Sequence, residues 1–182
     1  EAQVRQRAID LIESFKDKGS CEVMSEFAFP YAVSIFLEFL GLPKERMKEF
    51  LGWATNLLHP ATPQHRTDAA MEVIAYLDDL AKLRRSTPAD DFMSFVVDAE
   101  VDGRRLSDKE VRGIAVLVFI AGLDTVAAGI GFDLSHLARH QDDQQTLREK
   151  PEMIPNAVEE LLRAYSTVQM VSVAKQDTEL AG

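Results

Sequence analysis

The chain has 182 residues, 46% of them hydrophobic, which suits one globular domain or a piece of a larger one. Its net charge of −10 provides no basic face for phosphates and excludes nucleic acid as an expected partner. The single cysteine, Cys21, rules out an internal disulfide and fits a reducing cytoplasm. Residues 1–5 read as the inside of a protein rather than as a signal peptide.

Residues 3–18 carry Val4, Ala8, Leu11, Ile12 and Phe15 at helical spacing, and Gly19-Ser20 ends that helix. Cys21 to Met24 reads as a short strand. Residues 25–40 read as a buried helix with Pro30 near its start. Gly41-Leu42-Pro43 stops it, and helix resumes over 44–58 until the break at His59-Pro60-Ala61-Thr62-Pro63. A long amphipathic helix follows over 66–85, ending at Arg84-Arg85, which suits the negative end of its dipole. Residues 90–97 form a short helix, and Asp102-Gly103 signals a hairpin turn.

Ser107 and Glu110 make a capping box that opens the next helix. That helix runs to Arg139, about 50 Å at a rise of 1.5 Å per residue, and a helix so long organises the middle of a domain. A short polar helix over 141–150, a turn between Pro151 and Pro155, a helix over 155–166 and an extended segment over 171–180 complete the chain. The fold class is therefore mainly α with minor β, a hairpin and short strands. The extended segment has no partner strand, so the chain reads as cut from a longer one. Residues 113–132 are long enough to cross a bilayer, but Asp124 and four glycines favour the buried central helix of a protein with no membrane attachment.

The central helix holds the costliest stretch. Residues 113–123 carry no charge, Asp124 follows, and no further charge appears until Asp133. A carboxylate there needs a partner or solvent, and Gly122 costs about 1 kcal/mol against alanine. Gly122 leaves room for something flat or bulky. Thr125 either bonds back to the carbonyl of Ala121 or turns away and opens the helix. The residues leave two readings open: a pair that hands protons to a buried site, or a polar notch satisfied by neighbouring helices. A second motif, Glu160-Leu161-Leu162-Arg163, puts an acid and a base on one helix face.

Other patterns are weaker. Asp98 to Asp102 begins like a calcium loop, but Lys109 stands where a bidentate Glu is required. His136 and His140 are four apart, yet Leu137 replaces the Glu of a zinc protease helix, and His140 near a helix C-terminus suits the dipole.

Taken in order, Ala121-Gly122-Leu123-Asp124-Thr125 and Glu160-Leu161-Leu162-Arg163 resemble the oxygen-binding helix and the Glu-x-x-Arg helix of the cytochrome P-450 family, in its soluble bacterial camphor-hydroxylase type. The resemblance covers nearly the whole chain. It implies that residues 1–182 are a partial domain, the helical central portion of that fold from about its fourth lettered helix through the Glu-x-x-Arg helix.

The resemblance also implies roles. Asp124 and Thr125 would deliver protons to iron-bound dioxygen, and Ala121 and Gly122 would let haem lie against the helix. Leu117, Ile120 and Val126 would border the substrate pocket, Leu57 and Leu58 its roof, and Val168 and Val171 its side, with Met170 beside them. Glu160 and Arg163 would be a buried structural pair. The axial cysteine would lie outside this chain, because Cys21 precedes both motifs and lacks the glycine pattern around that ligand. Ser172 replaces an arginine that serves a haem propionate in the family, and His59 occupies the place of a basic residue that would pair with Asp124.

The implied activity is a haem-thiolate monooxygenase, cytoplasmic, inserting oxygen from O2 into a small hydrophobic compound such as a terpenoid. Electrons would come from NAD(P)H through a ferredoxin-type partner. The alternative is a non-enzymatic helical module that binds a partner or lipid and keeps a structural polar notch.

Overall fold

The computed structural model describes residues 2–168 and 173–176. Nine α-helices lie among them: α1 (Ala2–Phe15), α2 (Phe29–Leu40), α3 (Met47–Leu58), α4 (Pro63–Ser86), α5 (Phe92–Asp98), α6 (Asp108–Gly122), α7 (Thr125–Arg139), α8 (Gln141–Glu149) and α9 (Ile154–Ala164). The β structure among the described residues is one antiparallel hairpin, β1 (Glu100–Val101) with β2 (Arg104–Arg105). Asp102 and Gly103 both take positive φ in its turn, as the Asp-Gly signal predicts.

The expected strand at Cys21–Met24 is instead the start of a helix. The Glu22 carboxylate accepts bonds from the backbone N–H groups of Met24 (3.2 Å) and Ser25 (2.7 Å), a side-chain cap that favours helix. Met24–Ala28 then form a π turn leading into α2. An α-helical turn here would press the carbonyl of Glu26 against the Pro30 ring, and the wider turn relieves it. The extended segment expected over 171–180 lies largely outside the described residues, and its described part, 173–176, is not a strand.

Helix α4 begins three residues earlier than the periodicity predicts. Thr62 caps it by accepting from His65 N–H, and Pro63 occupies a first-turn position where no donor is needed. Helix α6 starts on the capping box as expected: the Ser107 hydroxyl accepts from Glu110 N–H, and the Glu110 carboxylate accepts from Ser107 N–H at 2.8 Å.

The core lies where α2, α3, α4 and α6 meet. Val33, Leu37 and Leu40 of α2, Phe50 and Trp53 of α3, Val73 and Leu77 of α4 and Phe119 of α6 form one buried cluster. Its centre is aromatic, with Phe50 5.4 Å from Trp53, 5.3 Å from Tyr76 and 6.2 Å from Phe119 between ring centroids. Such contacts add about 0.5–1.5 kcal/mol each beyond burial. Arg46 covers this group, its guanidinium 4.5 Å from the Tyr76 ring centre.

Along the central helical segment, Val111, Ala115, Phe119, Leu123 and Ala127 are buried, one every four residues. By length and composition 108–139 is apolar enough to cross a membrane. Its buried stripe packs into the core cluster and against Ala28 and Ala32, so it serves here as the organising helix of the domain.

Candidate active site

The central segment is interrupted where the costly residues fall. Helix α6 stops at Gly122, Leu123 and Asp124 form a turn, and α7 starts at Thr125. Asp124 departs from helical geometry, with φ −123° and ψ −42°. The Thr125 hydroxyl donates to the Ala121 carbonyl at 2.7 Å. The side chain thus bonds back across the break, and the segment opens all the same. The interruption gives Asp124 the N-cap position of α7, where the helix dipole favours a negative charge. Its carboxylate makes no capping bond.

Asp124 lines a cavity of about 150 Å³ with Leu123, Leu58, His59 and Thr55. This places the end of α3 beside the break in the central segment. His59 and Asp124 face the same small space, and among the described residues no ion pair joins them. Thr55, Leu51 and Phe29 also line the cavity and were not singled out from the sequence. The spacing of 51, 55, 58 and 59 on one helix face was the signal for the first two of these.

Gly122 requires a correction. The space beside it is filled from within the chain: a Cβ there would meet Phe36 Cε2 at 2.0 Å. Gly122 faces α2 and is not free to receive a flat group. A Cβ at Gly131 would likewise meet Met24 Sδ at 2.4 Å, so two of the helix glycines serve close packing against the segment 24–40. Ala121, by contrast, is exposed, and Leu117, one turn earlier on the same face, is 67% exposed.

The remaining expected pocket residues divide. Leu57 and Ile120 are half-buried against the main core. Leu58 is 39% and Val126 52% exposed. Val168 is also exposed, its carbonyl accepting from the Ser166 hydroxyl at 2.8 Å. Val171, Met170 and Ser172 lie outside the described residues.

Glu160 and Arg163 form a bidentate pair at 2.8 and 2.6 Å, which holds the carboxyl below its ordinary range. The pair is not buried as expected: the side chains are 63% and 72% exposed. Helix α9 turns Ala157 and Leu161 partly inward, but it buries no residue fully.

The family model of Cytochrome P450 matches residues 16–182. The chain belongs to the cytochrome P450 family. A relative from Sinorhizobium fredii named Probable cytochrome P450 127A1 is 50% identical over the whole of this chain, which covers 44% of that relative. The solved structure of cytochrome P450 PksS of Bacillus subtilis 168 superposes with a TM-score of 0.83 at 32% identity, over 89% of this chain and 42% of that one. P450BioI, solved in complex with a hexadec-9Z-enoic acid-ligated acyl carrier protein, gives a TM-score of 0.85 at 28% identity, over 100% of this chain and 49% of that one. The chain spans about half the length of the curated relatives it matches.

The mainly helical P450 architecture and the membership read from the two motifs are both borne out. Membership implies haem. It does not favour a non-enzymatic module.

Proposed function

We propose that the protein is a haem-thiolate monooxygenase that inserts one atom of O2 into a small hydrophobic substrate and reduces the other to water. Electrons would come from NAD(P)H through a ferredoxin-type partner, in the cytoplasm. The observation that carries this is the interruption of the central segment at Leu123 and Asp124, beside an exposed apolar face with Leu117 and Ala121. An exposed apolar stripe on a helix whose opposite side packs into the core suits a flat hydrophobic cofactor, and the break sets polar groups at its edge.

When bound, haem supplies the iron centre at which dioxygen is reduced, with a thiolate ligand that favours O–O cleavage. Ala121 and Leu117 would lie against the macrocycle, and Gly122 acts behind them by admitting Phe36. Thr125 holds a proton at Oγ1, parked on the Ala121 carbonyl, and a small rotation would present it to the exposed face. Asp124 is positioned to replace that proton from the cavity it shares with His59. Leu58 and Val126 are the exposed apolar residues nearest in sequence to these groups and would contact substrate. Leu57, Ile120, Val168 and Val171 would complete the pocket wall. The fatty acyl cargo in the P450BioI complex supports an apolar substrate class. Glu160 and Arg163 would be structural, their ion pair closed over by the rest of the full-length fold.

The test is to express the full-length protein and record its reduced carbon monoxide spectrum. The shifted Soret band of thiolate-ligated haem is expected; its absence overturns the proposal.

A further inference from the structure

We propose that the corner between α7 and α8 binds a zinc ion through His136, His140 and Asp143. His136 and His140 occupy the last turn of α7 and the residue after it, and Asp143 lies in the first turn of α8. The two imidazoles stack with centroids 4.1 Å apart and 17° between planes. One ligand atom from each of the three residues lies within 4.8 Å of the other two. Small side-chain rotations therefore bring all three to the roughly 2.0–2.2 Å that zinc takes from nitrogen and oxygen.

At His140 the protonation pattern is already that of a metal site. His140 Nδ1 lies 2.9 Å from the carbonyl oxygen of His136, which can only accept, so the proton of a neutral ring sits on Nδ1. The Nε2 lone pair is then left for a metal. A backbone carbonyl fixing the tautomer of a ligand is the usual outer-shell arrangement. His136 Nε2 lies 2.9 Å from Asp143 Oδ2, where a neutral ring donates its proton to the carboxylate; the ion would take that proton's place between the two, with Nδ1–H then donating to the Tyr165 hydroxyl at 2.8 Å. Two nitrogens and one carboxylate suit zinc rather than calcium or magnesium, which take oxygen donors. Asp143 is exposed, which leaves room for a water in the fourth position. The carbonyl end of α7 also favours a cation. The ion would tie α7 to α8 beside the 210 Å³ cavity that both helices line with α9.

The rival account is a hydrogen-bonded pin, Tyr165–His136–Asp143, with no metal. His140 separates the two because it takes no part in that pin. The experiment is isothermal titration of the full-length protein with zinc chloride, together with thermal denaturation with and without added zinc. One equivalent is expected to bind in the micromolar range and to raise the melting temperature, reversed by a chelator. His140→Ala and Asp143→Asn are each expected to weaken binding at least tenfold and to abolish the zinc-dependent shift. His140→Ala should melt like the parent without zinc because the ring is exposed, and His140→Gln serves if it does not. No saturable heat in the parent, or binding unchanged in both variants, overturns the proposal.

Discussion

Phe36 sets the edge of its ring against the bare Cα of Gly122, so that the break in the central segment is packed from behind by α2. A methyl group at position 122 would come within 2.0 Å of Phe36 Cε2, far inside contact distance. Gly122→Ala should therefore destabilise the protein, even though alanine is the better helix former by about 1 kcal/mol. Overpacking against a rigid ring costs about 1–3 kcal/mol, and a net loss of up to about 2 kcal/mol is expected. Phe36→Leu in the same chain should recover part of it. Thermal denaturation of the two single variants and the double variant checks the coupling, and additive effects would separate the two residues.

Much of this arrangement is legible in the residues, and the reasons for the rest are physical. The helices, the hairpin at Asp102-Gly103 and the cap at Ser107 follow from local periodicity and turn chemistry, which act within a few residues. The position of Gly122 is also visible, as a cost. Its beneficiary is not, because Phe36 is brought there by tertiary packing. The strand expected at Cys21 to Met24 fails for a local reason, since Glu22 caps a helix and Pro30 asks for a wider turn before it. The burial expected for Glu160 and Arg163 depends on groups that are not brought to them among the described residues.

Arg84 and Asp91 form the most enclosed ion pair described, at 2.6 Å with side chains 15% and 5% exposed. Burial pushes the Asp91 carboxyl up, but the Ser94 N–H, the Arg84 guanidinium and the Ser94 side chain outweigh it and hold the carboxyl below its ordinary value. The unfolded chain therefore binds more protons than the folded one just below the ordinary carboxylate range. The stabilisation is fully present above that range and is lost as the pH falls through it. Asp91→Asn keeps an acceptor for Ser94 N–H and the N-cap of α5 but strands the Arg84 charge, which also bonds the Gly41 carbonyl. A loss of about 3 kcal/mol is expected at neutral pH, with a smaller difference from the parent in acid. Denaturation midpoints across pH 3–7 check both parts.

Asp133 on α7 has the opposite sign. Burial pushes its carboxyl up against the opposing influence of His136. The folded chain keeps this proton to higher pH than the unfolded one, so stability falls as pH rises through that interval. Asp133→Asn should remove the penalty and raise the melting temperature slightly near neutral pH while leaving it unchanged in acid.

Ser107 holds the start of α6 through a cap whose carboxylate also takes two bonds from Arg104, at 2.9 and 2.7 Å. Ser107→Ala removes the acceptor for Glu110 N–H, and a loss of about 1 kcal/mol is expected. Ser107→Asp, which also caps, should restore most of it. Circular dichroism melts of the parent and the two variants decide between a cap and an incidental contact.

His59 and Asp124 face one cavity of about 150 Å³ without an ion pair between them. If Asp124 draws its proton through that cavity in the full-length protein, His59 borders the path and bears on where the carboxylate rests. A hydrogen bond from the imidazole would draw the carboxylate toward α3 and hold it from Thr125. His59→Ala is then expected to change the product formed per NAD(P)H consumed. Asp124→Asn should lower coupled turnover by about 10²–10⁴-fold, the span of general acid–base contributions, with little change in substrate affinity. The measurement is product, NAD(P)H and peroxide quantified together across pH 5–8. A profile unchanged in His59→Ala would remove that residue from the proton path, and normal coupling in Asp124→Asn would remove the carboxylate.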